Sequence, residues 1–180
     1  MWTVTPGFSR FMLGDFEIVR ILEASLERSR LSPANVTIEM TETARIADLR
    51  QAGAVMSNIK ELGVRLSADD FGVGAASFEP FLELPFDELK IDRLFVAQVV
   101  RDAKARRIVE HLVKLGRALE IRVLAEGVED QATLEILKSL GCPAAQGFKL
   151  GRPTSLMEIY HAHVAANVGE TAPGRQATAK

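Results

Sequence analysis

Short apolar stretches alternate along the chain with longer amphipathic stretches, and this alternation restricts the possible folds more than any other sequence feature. The short stretches have the two-residue period of strands, and proline or glycine separates several of them from segments with helical spacing. Repeated strand–helix–strand units form parallel sheets with right-handed crossovers, so the sequence predicts an α/β fold. The predicted strands are Val36–Glu42, Val64–Ala68, Phe86–Asp92, Ile121–Ala125 and Ala144–Phe148.

Amphipathic helices are predicted before and between the strands. The first begins near Asp15 and is expected to bury Phe16 and Leu22 on one face. A later, long helix is expected to bury Ile108 and Leu112 in the same way. Further helices are predicted over residues 44–62 and 131–140, with a last one near residue 155.

The chain length limits how many of these units are present. A complete eight-stranded α/β barrel needs about 250 residues, whereas this chain has 180. Five strands, or six if residues 2–5 add one, therefore predict an incomplete TIM-like (β/α) barrel of parallel strands with alternating helices. Residues 1–164 are expected to form this one domain, and the small, polar residues 165–180 are expected to form a disordered tail.

The composition excludes several classes of protein. A net charge of −2 lacks the basic surface needed to wrap nucleic acid, so no nucleic-acid partner is expected. No apolar run approaches the roughly 18 residues of a membrane span, and the first residues lack the pattern of a signal peptide. The single cysteine, Cys142, cannot form an internal disulfide and fits a reducing cytoplasm as a packed thiol.

Polar side chains recur at the carboxyl ends of the predicted strands. The carboxyl ends of parallel strands meet at one rim, where ligands bind. Helix capping explains one or two acidic residues there, but less readily a succession of them. Clustered carboxylates select a hard cation such as Mg²⁺ or Mn²⁺, and a lysine among them suits a phosphate substrate. The residues are Glu39, Glu42, Asp69, Asp70, Lys90, Asp92, Glu126, Glu129 and Gln146.

Five motifs in chain order are similar to those of a known family. They are Ile38–Thr43, Ala68–Gly72, Leu89–Arg93, Ala125–Glu129 and Gln146–Phe148. With these spacings the chain resembles the EAL domain, the bacterial phosphodiesterase of the second messenger cyclic di-GMP, from about residue 15 to residue 160. The resemblance implies a modified α/β barrel that uses Mg²⁺ or Mn²⁺ to open one phosphodiester of cyclic di-GMP and release linear pGpG.

The resemblance also implies roles for the residues at the rim. Glu39 and Asp69 would ligate metal, with Asp69 bridging two ions and Asp70 binding the second. Lys90 would orient the attacking water and neutralise the phosphate, and Glu126 would complete the surroundings of the second ion. Lys90 and Glu126 are therefore the predicted catalytic residues.

Four further assignments follow from the same resemblance. Gln146 would take part in the metal surroundings and, with Asp92 and Gly147, in substrate binding. Glu42 would anchor the loop after Asp70, which lines the dimer interface in the family.

The sequence also departs from the family pattern. No Glu-Ala-Leu segment is present, and Gly7 stands where the family has a metal-binding asparagine. In the loop, Val73 and Ala75 replace a threonine and a tyrosine. Two functions are therefore predicted as alternatives: an EAL phosphodiesterase of impaired activity, or an inactive EAL-like module that binds nucleotide or partner proteins. A fragment whose remaining strands lie in another segment or chain is the third possibility.

The expected shortage of strands predicts an assembly. The strand that begins at Val36 is expected at an open edge, where unpaired backbone groups favour pairing with another chain. A homodimer, or a partner chain that completes the barrel, is therefore expected. Five inner side chains are expected to lose their covering: Val64, Leu66, Ile91, Val123 and Leu124.

Overall fold

The computed structural model describes residues 15–41, 48–71, 83–152 and 157. The chain divides into two units, Met1–Leu150 and Gly151–Lys180, and the helices and strands given below all lie in the first. Glu42, the glycine-rich loop and the expected tail lie outside the described residues. The domain boundary near residue 164 and the disorder of the tail stay predictions.

The described elements alternate between strands and helices as the sequence predicts. No helix among them has the length and apolarity to cross a membrane. A short 3₁₀ helix, Pro33–Asn35, precedes the first strand. In chain order the elements are α1 (Glu17–Ser29), β1 (Thr37–Thr41), α2 (Leu49–Glu61), β2 (Arg65–Phe71), β3 (Glu88–Ile91), α3 (Arg93–Val96), α4 (Ala103–Ala118), β4 (Arg122–Ala125), α5 (Gln131–Ser139) and β5 (Ala144–Ala145).

The five described strands form one parallel sheet in the order β1-β2-β3-β4-β5. Right-handed crossovers between strands in sequential order place the connecting helices on one face, as in a barrel wall. The α/β fold and the incomplete TIM-like barrel are thus confirmed. β1 is an end strand of the described sheet, and its pairing with a second chain stays a prediction.

Local sequence signals set where the helices begin and end. Three aspartates cap helices by accepting hydrogen bonds from backbone amides two or three residues further on, the pattern expected of an N-cap: Asp48, Asp102 and Asp130. At the end of α2, Gly63 has φ +87°, a conformation that favours glycine and turns the chain into β2. The four helices predicted before residue 141 are therefore confirmed, with ends that differ by a few residues. The last predicted helix, near residue 155, and the possible strand over residues 2–5 lie outside the described residues, apart from residue 157.

Two of the residues expected in the core are exposed instead. Phe16 is 49% exposed, because it precedes the first turn of α1, and Ile18 is buried beside Leu22. Ile108 is 41% exposed, while its neighbour Val109 is fully buried. A shift of one residue rotates a helix position by about 100°, which is enough to move a side chain off the buried stripe.

The apolar core lies between the sheet and its helices, so the expectation about uncovered inner side chains is wrong for four of the five residues. Val64, Leu66, Ile91 and Val123 are between 0 and 2% exposed. They belong to the apolar clusters formed with residues of α2 and α4. Only Leu124 lies on the opposite, polar face, where it lines a cavity with Lys90.

We predict that replacing a leucine by alanine lowers the stability of the protein more on the core face of the sheet than on its polar face. Leu66→Ala should lower the free energy of unfolding by about 2–5 kcal/mol, because it leaves a void in a closed apolar core. Leu124→Ala should cost less than half as much, since its side chain is half-buried on the polar face. Urea unfolding followed by circular dichroism measures both. An equal or larger loss for Leu124→Ala would contradict this assignment of the faces.

Candidate functional site

The ammonium group of Lys90 lies between three carboxylates. Its Nζ is 2.7 Å from Oε1 of Glu126, 2.9 Å from Oε1 of Glu39 and 3.0 Å from Oδ1 of Asp69. Only 5% of the lysine side chain is exposed, against 19–22% of the three carboxylate side chains. These four residues are called the Lys90 cluster below. It unites four of the residues that the sequence predicts to act together.

Strand alternation places the cluster on the polar face of the sheet. Leu89 and Ile91 point into the core, so Lys90 between them points to the opposite face. Glu39 lies between buried Ile38 and Met40 for the same reason. Because the strands are parallel and closely in register, the polar-face side chains of neighbouring strands meet near the carboxyl ends of those strands.

An irregularity in β2 adjusts the position of its acidic pair. Ala68 is opposite Leu89, but Phe71 is opposite Ile91, so β2 uses one residue more than β3 over this distance. An extra residue of this kind forms a bulge, which bends the strand and changes where its side chains point. The bulge falls on Asp69 and Asp70, and Asp69 reaches Lys90. The side chain of Asp70 lies outside the described part, so its metal role stays a prediction.

The electrostatics of the cluster favour a charged lysine. Burial alone lowers the pKa of Lys90, but the hydrogen bonds from its ammonium to Glu126, Glu39 and Asp69 outweigh burial and raise the pKa well above its usual range. For Glu126, burial raises the pKa, the ion pair with Lys90 opposes this, and the neighbouring Asp69 and Glu39 raise it further. The pKa of the Glu126 carboxyl thus lies above its ordinary value.

A polar cavity of about 300 Å³ adjoins the cluster. It gives a ligand direct access to Glu39 and Lys90, and exposed Gln146 lies at its wall, near the rim as the sequence predicts. Its polar residues extend along the face toward the amino ends of the strands. The lining residues are Thr37, Glu39, Arg65, Glu88, Lys90, Arg122, Leu124, Ala145 and Gln146.

The remaining predicted substrate residues have structural contacts of their own. The side chain of Asp92 accepts a hydrogen bond from the backbone amide of Leu94 at 2.7 Å and caps α3. Gly147 lies against the backbone of Val128, where any Cβ would overlap that backbone. Both positions therefore have structural reasons for their residue type, and their contact with substrate stays a prediction.

Sequence reasoning missed a second set of polar contacts on the same face. Ser67 Oγ donates a hydrogen bond to Oε1 of Glu88 at 3.2 Å. Arg122 Nη1 lies 3.5 Å from Oε2 of the same glutamate. The sequence spacing could have indicated this contact, because Glu88 precedes Lys90 by two residues and therefore lies on the same face of the strand.

The Lys90 cluster fits a hard divalent ion by its donor chemistry. Its three carboxylates supply the oxygen ligands that Mg²⁺ and Mn²⁺ prefer. In the described part of the chain, no group of three or more histidine, cysteine, aspartate or glutamate side chains is arranged to hold a metal ion. The cluster therefore matches a divalent ion in the type of its donors but not in their arrangement around Lys90. The ammonium of Lys90 occupies the centre of the three carboxylates.

The order of the parallel strands and the helices that connect them define a protein of the α/β-barrel class. The sequence profile of the EAL domain matches residues 8–153. The chain therefore belongs to the EAL domain family.

Named proteins are similar to this chain in sequence and in fold. The bifunctional diguanylate cyclase/cyclic di-GMP phosphodiesterase MucR of Pseudomonas aeruginosa is 36% identical over 152 residues, which are 84% of this chain and 22% of MucR. A solved structure of the MucR phosphodiesterase in complex with c-di-GMP has a TM-score of 0.80 at 35% identity, covering 88% of this chain and 64% of that one.

A second protein, BlrP1, was solved with a divalent ion. BlrP1 of Klebsiella pneumoniae, in a complex with calcium and cyclic di-GMP, has a TM-score of 0.73 at 30% identity. The match covers 81% of this chain and 37% of BlrP1. The chain spans about a fifth of the length of the curated relatives it matches.

We predict opposite pH dependences for two glutamates. The folded state raises the pKa of Glu126 above 4.5, so folded protein binds this proton more tightly than unfolded protein does. The free energy of unfolding of the natural chain, relative to Glu126→Gln, should therefore fall as the pH rises from 4.5 through the folded pKa. Urea unfolding at a series of pH values measures the difference.

Glu110 on α4 provides the control. Its hydrogen bond and ion pair with Lys114 lower its pKa below 4.5. Relative to Glu110→Gln, the natural chain should therefore gain stability as the pH rises through the folded pKa of Glu110 toward 4.5. The same sign for both glutamates would contradict the electrostatic account of the cluster.

Proposed function

We propose that the Lys90 cluster is the active site of a cyclic di-GMP phosphodiesterase that opens one phosphodiester with Mg²⁺ or Mn²⁺ and gives linear pGpG. The observation that carries the proposal is the meeting of Lys90 with Glu39, Asp69 and Glu126 beside an open polar cavity. An oxygen-rich site with a buried cation suits a phosphate diester, which needs both metal binding and charge neutralisation. Membership of the EAL family and the c-di-GMP complex of MucR support the choice of substrate.

Each residue of the cluster has a chemical task in this reaction. A divalent ion bound by the carboxylates would supply Lewis-acid stabilisation of the phosphate and a more acidic water. Lys90 donates hydrogen bonds and positive charge to the phosphoryl oxygens, where negative charge grows as the water oxygen attacks phosphorus. Glu126, whose pKa is raised by burial, is suited to accept the proton of that water. The bond between phosphorus and the 3′ oxygen breaks, and that oxygen takes up a proton from solvent water.

The alternative function is an EAL-like module that binds nucleotide or partner proteins without turnover. Gly7 offers no side-chain oxygen at the position where the family has a metal-binding asparagine. Val73 and Ala75 remove a hydroxyl and an aromatic ring from the loop. These residues lie outside the described part, and their sequence alone favours the alternative.

We predict that the chain binds cyclic di-GMP in the presence of Mn²⁺ but turns it over at well below about 1 per second, the lower range of ordinary enzymes. A site with fewer oxygen ligands holds its ion more weakly and positions water less well. Titration calorimetry measures binding, and chromatography of pGpG measures hydrolysis. Faster turnover would contradict impaired catalysis, and a lack of binding would contradict the proposed substrate.

We also predict that Asp69→Asn weakens Mn²⁺ binding by roughly tenfold, which is about 1.4 kcal/mol. The change keeps the shape of the side chain and removes one charged oxygen ligand beside Lys90. Asp102→Asn is the matched control, because asparagine caps a helix as well as aspartate does. Unchanged Mn²⁺ affinity in Asp69→Asn, or an equal loss in Asp102→Asn, would contradict the assignment of Asp69 as a metal ligand.

A further inference from the structure

We propose that the Lys90 ammonium is a tethered cation that holds the metal-free site together and must withdraw when a divalent ion enters, so that Lys90 limits the affinity of the site for metal. The inference rests on the proposed function in one respect, the entry of a divalent ion into the cluster. It assigns Lys90 a role in the metal-free protein in addition to its task at the phosphate.

The contact geometry shows that ammonium and ion compete for the same oxygens. Glu39, Asp69 and Glu126 each direct one oxygen at Nζ of Lys90, at 2.7–3.0 Å. Direct ligands lie at about 2.0–2.1 Å from Mg²⁺. The oxygens must therefore approach one another when they bind an ion, and the space between them cannot hold the ammonium as well.

The charges give the ammonium its role in the metal-free state. Three carboxylates and one ammonium leave a formal charge of −2 in a site where the lysine side chain is 5% exposed. Without Lys90, the three carboxylates would repel one another across β1, β2 and the end of β4. With Lys90 in place, an arriving divalent cation meets a positive charge at the centre of its ligands.

The surroundings offer Lys90 a place to withdraw to. Its side chain is a flexible four-carbon stem with three rotatable donors. The cavity of about 300 Å³ adjoins it, and Glu88, two residues earlier on the same face of β3, lines that cavity. Positions two apart on a strand are about 6–7 Å apart. A shift of the ammonium by this amount would bring it beside the Glu88 carboxylate, which now contacts Ser67 and Arg122.

Mn²⁺ titration of Lys90→Met tests the inference. Methionine preserves most of the stem and removes the charge, so Mn²⁺ should bind at least tenfold more tightly than in the natural chain. Lys90→Arg keeps the charge and should bind Mn²⁺ no more tightly than the natural chain does. Lys60→Met is the control for loss of a lysine charge, because Lys60 pairs with Asp87 at 2.7 Å outside the cluster. It should leave Mn²⁺ affinity unchanged.

Thermal unfolding gives a second measurement. Without metal, Lys90→Met should unfold at a lower temperature than the natural chain. Mn²⁺ should then raise the unfolding midpoint of the variant by more than it raises that of the natural chain. If the variant is unfolded without metal, its folding on addition of Mn²⁺ reports the affinity through circular dichroism. Failure to fold at about 10 mM Mn²⁺ would overturn the proposal, because the ion should replace the missing charge.

The other possible outcomes of the Mn²⁺ titrations would overturn the proposal. Equal or weaker Mn²⁺ binding by Lys90→Met would overturn the competition between ammonium and ion. If Lys60→Met bound Mn²⁺ more tightly by the same factor as Lys90→Met, the competition would be overturned as well. The effect would then come from the loss of any one positive charge and not from the position of Lys90. If neither chain binds Mn²⁺, the competition is overturned, while cyclic di-GMP binding and hydrolysis by the natural chain separately decide the proposed function.

Discussion

The ion pairs of Lys90 are the interaction on which the rest of the site depends. A lysine this deeply buried stays charged only if its surroundings supply compensating charge, and Glu39, Asp69 and Glu126 do so at 2.7–3.0 Å. The three carboxylates come from β1, β2 and the residue after β4, and the lysine comes from β3 between the last two. One side chain therefore links four neighbouring strands beside the polar cavity.

The sheet makes this arrangement possible because its two faces have different partners. Period-two alternation sends Leu66, Ile91 and Val123 into the core against the helices, and sends charged neighbours to the opposite face. In a wall of strands in sequential order, that opposite face is the inside of the barrel. The apolar core provides the rigidity, and the polar face can thus hold charges that a closed apolar interior would exclude.

Much of this could be predicted from the sequence, and the failures have physical causes. The order of the motifs predicts the strands and brings Glu39, Asp69, Lys90 and Glu126 to one rim. Alternation divides residues between two faces but does not say which face the helices cover, so the apolar residues were placed on the wrong one. The bulge at Asp69 has no signal within the strand itself, because its cause is the pairing with β3. Likewise, the helical pattern was assigned one residue out of step at Ile108, which is exposed while its neighbour Val109 is buried.

Nuclear magnetic resonance of the lysine side-chain nitrogens tests the central claim most directly, since it reports the charge and hydrogen bonding of each ammonium group. An ordinary lysine loses its proton near pH 10.4. The account predicts one ammonium signal that exchanges slowly with water, stays protonated above that pH, and is missing in Lys90→Met. Loss of all lysine protons together near pH 10.4, with no slowly exchanging signal at any pH, would contradict it.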